Sequence, residues 1–271
     1  IDYLAQDPST KVIALYMEGV RDGRRFMEAA RNAVRNKPVI IYKPGSSEIG
    51  TRAVQSHTGS LMMPDSLFDS LCQQVGIIRA KETSHLFDMA EALANAPLPP
   101  VPGIGIISMT GGQCVVSSDT CAQLGLDVPE IDKAIQNYLT QNVLAAHAPE
   151  PRNPIDIAGD FRTPLTFAEI AEAIAPLSSI GVLLISPPSQ RSGEGAAASA
   201  EAARRIAAIP QQFGKPVLAL GMSPINTPEP GSVAAIFQDA GIPGYQRPED
   251  AARAAYALVK YASIKAGILR H

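Results

Sequence analysis

One histidine stands among residues suited to carrying a phosphoryl group. His57 lies in the stretch Lys43 to Asp65, KPGSSEIGTRAVQSHTGSLMMPD, between Ser56 and Thr58-Gly59. An ordinary imidazole titrates near ~6.5, so about half or more is neutral at physiological pH and can attack phosphorus. The phosphoramidate so formed can pass its phosphoryl group on in either direction. Ser56, Thr58 and Gly59 are the candidate groups around that phosphate. The second ring nitrogen needs a partner that fixes the tautomer, and a carboxylate is the usual choice. Glu18, just past the apolar run KVIALYM, is the candidate. The plainer readings are a surface histidine bonded to backbone and a solvated loop carboxylate.

Two helix starts could seat the anion. One begins at Pro64-Asp65, the other after Thr110-Gly111-Gly112 and includes Gln113. Free amides and the positive helix end favour negative charge there. Gly111-Gly112 lets the backbone approach closely. Against this, Gly-Gly also makes a tight strand-to-helix turn, and Asp65 also serves as an ordinary N-cap. Lys43 and Arg52 can neutralise phosphate charge or face water.

These residues need a frame, and the sequence pattern supplies one. Strands are expected at Lys11–Met17, Val39–Lys43, Ile77–Ile78, Gly103–Ser108, Pro154–Ile157, Val182–Ser186, Val217–Gly221 and near Ile242. Helices are expected near 22–36, 65–74, 81–95, 113–124, 130–146, 164–175, 194–209, 230–240 and 248–265, with residues 43–64 read as a loop leaving a strand end. Strands separated by helices imply parallel sheets with helices on both faces. Ligands of such sheets sit beyond the carboxyl ends of the strands. The fold class is therefore α/β, with two open parallel-sheet domains at 1–96 and 103–271. The prolines at 97, 99, 100 and 102 form a stiff linker between them.

The two halves repeat. Gly76-Ile77 matches Gly241-Ile242 at an offset of 165, and Lys37-Pro38-Val39 matches Lys215-Pro216-Val217 at an offset of 178. The first half therefore holds 13 extra residues between those landmarks, in the interval where His57 lies. A duplicated scaffold with one enlarged connection suggests that the connection serves chemistry. The second half also has strands before its Val182 strand that the first half lacks. The first domain is thus expected to be truncated at its N-terminus, its opening strands lying upstream of Ile1.

Composition removes other classes. Hydrophobic residues make up 46% and charged ones 18% of 271, enough for a sizeable core. A net charge of −3 argues against a nucleic-acid surface. No apolar run reaches membrane-spanning length. Cys72, Cys114 and Cys121 form no CxxC pair and suit structural thiols in a reducing, cytoplasmic setting. No metal site is expected, because no Cys or His pair has ligand spacing.

Taken together, Tyr16-Met17-Glu18-Gly19, Lys37-Pro38-Val39, Lys43-Pro44-Gly45, Gly50, Ser56-His57-Thr58-Gly59 and Asp65 resemble the NDP-forming acyl-CoA synthetases. These are relatives of succinyl-CoA synthetase and ADP-forming acetate–CoA ligase. The likeness covers nearly the whole chain, as two succinyl-CoA-ligase-like flavodoxin domains. It implies that His57 is a phosphohistidine and Glu18 its orienting carboxylate, relaying phosphate between ATP and a carboxylic acid on the way to acyl-CoA. It further implies the cofactors and cosubstrates CoA, ATP or ADP with Mg, and phosphate, bound mainly outside this chain. The implied partners are a CoA-binding Rossmann domain and an ATP-grasp domain or subunit, with a homo-oligomer possible and no nucleic acid or membrane. One departure stands out: relatives often carry Gly-Gly-Pro-Gly where this chain has Gly111-Gly112-Gln113-Cys114. The competing function is a non-catalytic regulatory or acyl-CoA-sensing module of the protein-acetyltransferase type. A flavodoxin-like electron carrier is a third.

Overall fold

The computed structural model describes residues 1–58, 63–159, 163–188, 194–222 and 228–268; at 55, 57, 58, 194 and 268 it describes backbone only. The chain divides into two compact units. One comprises Ile1–Ala94 together with the stretch from Lys260 onward, and the other Asn95–Val259.

The first unit runs α1 (Asp2–Gln6), β1 (Ile13–Tyr16), α2 (Gly23–Asn36), β2 (Val39–Tyr42), α3 (Glu48–Thr58), α4 (Asp65–Val75), β3 (Ile78–Ala80) and α5 (Thr83–Asn95). Its strands form a parallel sheet in the order β1-β2-β3. Strand β2, VIIY, is apolar because it has a strand on each side and helices over its faces; Val39, Ile40 and Ile41 are fully buried. Asp22 caps α2 by accepting from the Arg25 amide at 3.0 Å. Helix α4 stops at Gly76, whose φ of +87° is left-handed. The Gly76 and Ile77 amides both return to the Cys72 carbonyl at 2.9 Å.

The second unit carries β4 (Ile104–Ser108), α6 (Gly111–Gln123), α7 (Lys133–Tyr138) continuing as a π-helical segment Leu139–Val143, β5 (Ile155–Asp156), α8 (Thr166–Ile174), β6 (Val182–Ile185), α9 (Glu194–Phe213), β7 (Val217–Leu220), α10 (Val233–Asp239), β8 (Gly244–Tyr245) and α11 (Pro248–Ile268). Its five strands are all parallel, ordered β5-β4-β6-β7-β8. Renumbered within the unit, that is the flavodoxin-like order 2-1-3-4-5. The core lies between this sheet and α8, α9 and α10, around Ile107, Phe167, Ile170, Leu183, Ile206 and Phe237. The α/β class with parallel sheets agrees with the sequence reading.

Strand register makes the repeat concrete. Val39 pairs with Ile13 as Val217 pairs with Leu183. The lysines that open these strands do the same work. Lys37 Nζ donates to the carbonyls of Leu4, at 2.8 Å, and Asp7. Lys215 Nζ donates to those of Ala175 and Leu177, at 2.6 and 2.7 Å. Each satisfies carbonyls left open where a helix ends.

Two expectations read differently in the structure. The stretch 43–64 is not all loop, since α3 occupies Glu48–Thr58. Ser47 starts it: its Oγ accepts from the Gly50 amide at 3.1 Å and its carbonyl from Thr51 N at 2.8 Å. Glycine, serine and threonine content hid a helix that this cap and the acidic first-turn Glu48 support. The expected second domain ran to residue 271, whereas α11 groups with the first unit from Lys260 on. There Tyr261 donates its hydroxyl to Val34 O at 3.3 Å and Lys265 Nζ donates to Arg35 O at 3.0 Å.

Candidate functional site

Each unit has a cluster of interest at the carboxyl edge of its sheet. In the first unit, β1 and β2 run in register through Tyr16 and Tyr42, and the Met17 amide donates to Tyr42 O at 3.0 Å. Glu18, half-buried, therefore follows β1 at the same edge where Lys43 follows β2. Gly45, at φ +80°, turns the chain away from the sheet. Thr51 Oγ1 then donates to Gly45 O at 2.9 Å, and a side chain at Gly50 would press on Gly45 Cα at 3.0 Å. This close approach fixes the start of α3.

His57 is in the last turn of α3, one residue before its end. Its side chain and that of Thr58 lie outside the described residues, as does the whole of Gly59. The Glu18–His57 pairing expected from sequence falls there too. Ser56 is exposed, and its hydroxyl donates to Ala53 O at 2.8 Å within the same helix.

The chain returns at α4, whose first residue, Asp65, meets two buried cations. Lys43 Nζ stands 3.7 Å from Asp65 Oδ1, with its side chain only 3% exposed. Arg79, from β3, bonds the same oxygen through Nη2 and reaches Asp69 Oδ1, one helical turn on, at 2.5 Å through Nη1. Lys81 adds a longer contact to Asp69 at 3.4 Å. Both buried cations flank the Phe68 ring, at 5.6 Å for Lys43 and 5.2 Å for Arg79. The hydrogen bond from Arg79 holds the Asp65 carboxyl below its ordinary range. Burial alone would lower the Arg79 pKa, but its bonds to Asp65 and Asp69 raise it overall. No side chain caps α4, since Pro64 stands at its N-cap. Its first-turn amides are left to other partners.

In the second unit, Thr110 caps α6 by accepting from Gln113 N at 3.4 Å. The expected group Thr110, Gly111, Gly112 and Gln113 is brought together there. The Gln113 carboxamide is held from behind. Its Oε1 accepts from Ser108 Oγ at 2.8 Å and from Ser186 Oγ at 3.0 Å. A side chain at Gly111 would meet Asp156 Oδ2 at 2.9 Å, so the Asp156 carboxylate would have to shift to admit one. Burial pushes the Cys114 thiol up to about 12, which makes it inert at neutral pH. Among the described residues, no group of three or more His, Cys, Asp or Glu is placed to hold a metal ion.

Sequence reading missed Arg79, Asp69, Ser108, Ser186 and Asp156. Signals for the first pair were present: an arginine inside a short apolar strand, and acidic residues four apart on α4. The others are single small polar residues at strand ends, visible only once β4, β5 and β6 are adjacent.

Residues 1–93 match the family described as succinyl-CoA ligase like flavodoxin domain. The chain is 33% identical to the alpha subunit of ADP-forming acetate–CoA ligase II from Pyrococcus furiosus, over 97% of this chain and 56% of that protein. It is 30% identical to the ADP-forming 4-hydroxybutyrate–CoA ligase of Nitrosopumilus maritimus, over 95% of this chain and 36% of that one. Among solved structures, the dinucleotide forming acetyl-coenzyme A synthetase 1 of Ca. Korarchaeum cryptofilum, in complex with phosphate and ADP, superposes with a TM-score of 0.80 at 27% identity. That match covers 99% of this chain and 57% of the other. The chain thus spans about half the length of the acetate–CoA ligase subunit and of the synthetase structure. No described helix is long and apolar enough to cross a membrane. The chain is similar to ADP-forming CoA ligases over nearly its whole length, and its first 93 residues match the succinyl-CoA ligase like flavodoxin domain.

Proposed function

We propose that this chain is the phosphoryl-relay portion of an ADP-forming acyl-CoA synthetase. One ring nitrogen of His57 attacks the γ-phosphorus of ATP, forming an N–P bond as ADP leaves. A carboxylate oxygen of the acid substrate then attacks that phosphorus, releasing the imidazole and giving an acyl phosphate. CoA thiol, losing its proton, attacks the acyl carbonyl and expels inorganic phosphate, giving acyl-CoA. Each step runs in reverse when ATP is made from acyl-CoA, ADP and phosphate.

Glu18 orients the imidazole and stabilises its charged forms. Ser56, Thr58 and Gly59 flank the phosphohistidine; in the first unit the start of α4 is an anion seat, and in the second unit so are Thr110, Gly111, Gly112 and Gln113 at the start of α6. Magnesium would travel with the nucleotide. A CoA-binding Rossmann domain and an ATP-grasp domain or subunit supply the remaining sites in the cytoplasm. Carboxylic acids are the substrate class, and the two relatives compared above are named for acetate and 4-hydroxybutyrate.

The observation that carries this reading is the shared sheet edge. Glu18 and Lys43 follow adjacent strands, and the segment leaving that edge leads into the helix that bears His57. The test uses the full-length protein and γ-labelled ATP. An alkali-stable, acid-labile label that disappears in His57→Ala is expected. Full labelling of that variant would remove the relay.

A further inference from the structure

The duplicated frame offers an internal control for the charged cluster. Strand register aligns Lys43 with Gly221, each one residue past a paired strand, and Arg79 with Gly244, each pairing with the strand before it. The offset of 165 sets Asp65 and Asp69 against Pro230 and Ala234. One unit therefore completes the same strand edge with glycines and no charge. The scaffold does not require the cations of the other.

Lys43 also differs from the lysines that do hold the scaffold. Lys37 and Lys215 each donate to two backbone carbonyls. Lys43 Nζ is buried and makes no hydrogen bond among the described residues, although an ammonium has three to give. Its nearest anion, Asp65 Oδ1, stands at 3.7 Å, beyond hydrogen-bond reach, and is already engaged by Arg79. Among the described residues, the ion pairs of this cluster join three cations, Lys43, Arg79 and Lys81, to two carboxylates, Asp65 and Asp69. One positive charge is left over beside the uncapped start of an eleven-residue helix. A buried ammonium without hydrogen bonds is costly unless a ligand supplies them.

We propose that Lys43 and the first turn of α4 form a site for a phosphate oxyanion, with Arg79 keeping Asp65 engaged so that Lys43 is left for the ligand. The oxyanion is either inorganic phosphate or the phosphoryl group in transit, and the second source rests on the relay reading above. Lys43 is then a binding residue, and Arg79 a positioning residue that acts through Asp65.

The test titrates the chain with inorganic phosphate, followed by ³¹P NMR and by thermal unfolding, in wild type, Lys43→Met, Lys43→Arg and His57→Ala. Wild type and His57→Ala are expected to bind phosphate alike. Lys43→Met should bind it about 10- to 100-fold more weakly, and Lys43→Arg should recover most of the loss. Without phosphate, Lys43→Met should unfold no earlier than wild type. In a second arm, the full-length protein is labelled from ATP. A site that takes only the phosphoryl group shows no phosphate binding in the first arm, but loses label in Lys43→Met and regains it in Lys43→Arg. A Lys43→Met variant that matches wild type in both arms, or that unfolds earlier while keeping its phosphate affinity, overturns the proposal. Absence of label in wild type would defeat the relay alone, and the phosphate titration would still decide the site.

Discussion

The two units answer the same structural problem with different residues. Both place a lysine-proline pair before a buried parallel strand, and both lysines close a preceding helix end. They part at the carboxyl edge of that strand. The second unit passes from β7 to α10 through residues 221–232. The first passes from β2 to α4 through residues 43–64 and inserts α3, with His57 in its last turn. Where the second has Gly221 and Gly244, the first has Lys43 and Arg79 bound to α4. Residues the fold needs recur in both halves, and residues in only one half are candidates for chemistry.

That comparison can be broken at its strongest point by Glu18→Gln in the full-length protein. The unit should fold normally while phosphoryl transfer slows by about 10²- to 10⁴-fold, measured as the rate of label gain from ATP. Unchanged kinetics would return Glu18 to the role of a solvated loop residue.

The lysines give the next contrast. Lys215→Met leaves the carbonyls of Ala175 and Leu177 without their donor, and should cost about 1–3 kcal/mol in denaturant unfolding. Lys43→Met should cost nothing, since Arg79 keeps Asp65 paired. Equal losses for both would erase the distinction between scaffold and ligand lysines. Gly76→Ala is a smaller perturbation. It forces a left-handed φ of +87° on a residue with Cβ and brings that carbon to 3.2 Å from Val34 Cγ1. A loss of about 1 kcal/mol or more is expected by the same method.

The smallest effect concerns acid. The hydrogen bond from Arg79 lowers the Asp65 pKa in the folded state. Its contribution is therefore present above the unfolded value of about 3.9 and is lost as pH falls through the lower folded value. Asp65→Asn should flatten the stability curve on that acid limb. An unaltered limb would mean that the Asp65–Arg79 contact adds no net stability.

Much of the frame was legible because it rests on patterns that read locally. The apolar runs VIIY, VLLI and VLAL are strands buried on both faces, and Gly76 stops a helix as only a left-handed residue can. Helix α3 was not legible, because its start depends on one serine side chain folding back on a glycine amide and its interior is rich in residues common in turns. The cluster around Lys43 was half visible. Lys43 and Asp65 could be named from their places at a strand end and a helix start. Arg79 could not be joined to them until β2 and β3 lay side by side. Likewise Ser108 and Ser186 are far apart in sequence, yet both donate to Gln113 and their hydroxyls stand 3.4 Å apart.

The central claim is that an imidazole carries the phosphoryl group. Peptide mapping under alkaline conditions, after a brief exposure of the full-length protein to ATP, locates that group directly by mass spectrometry. The account predicts a single phosphorylated peptide, the one containing His57, which loses its phosphate when acyl acceptor and CoA are added. A phosphoryl group on any other peptide, or steady acyl-CoA formation with His57 never modified, would contradict it.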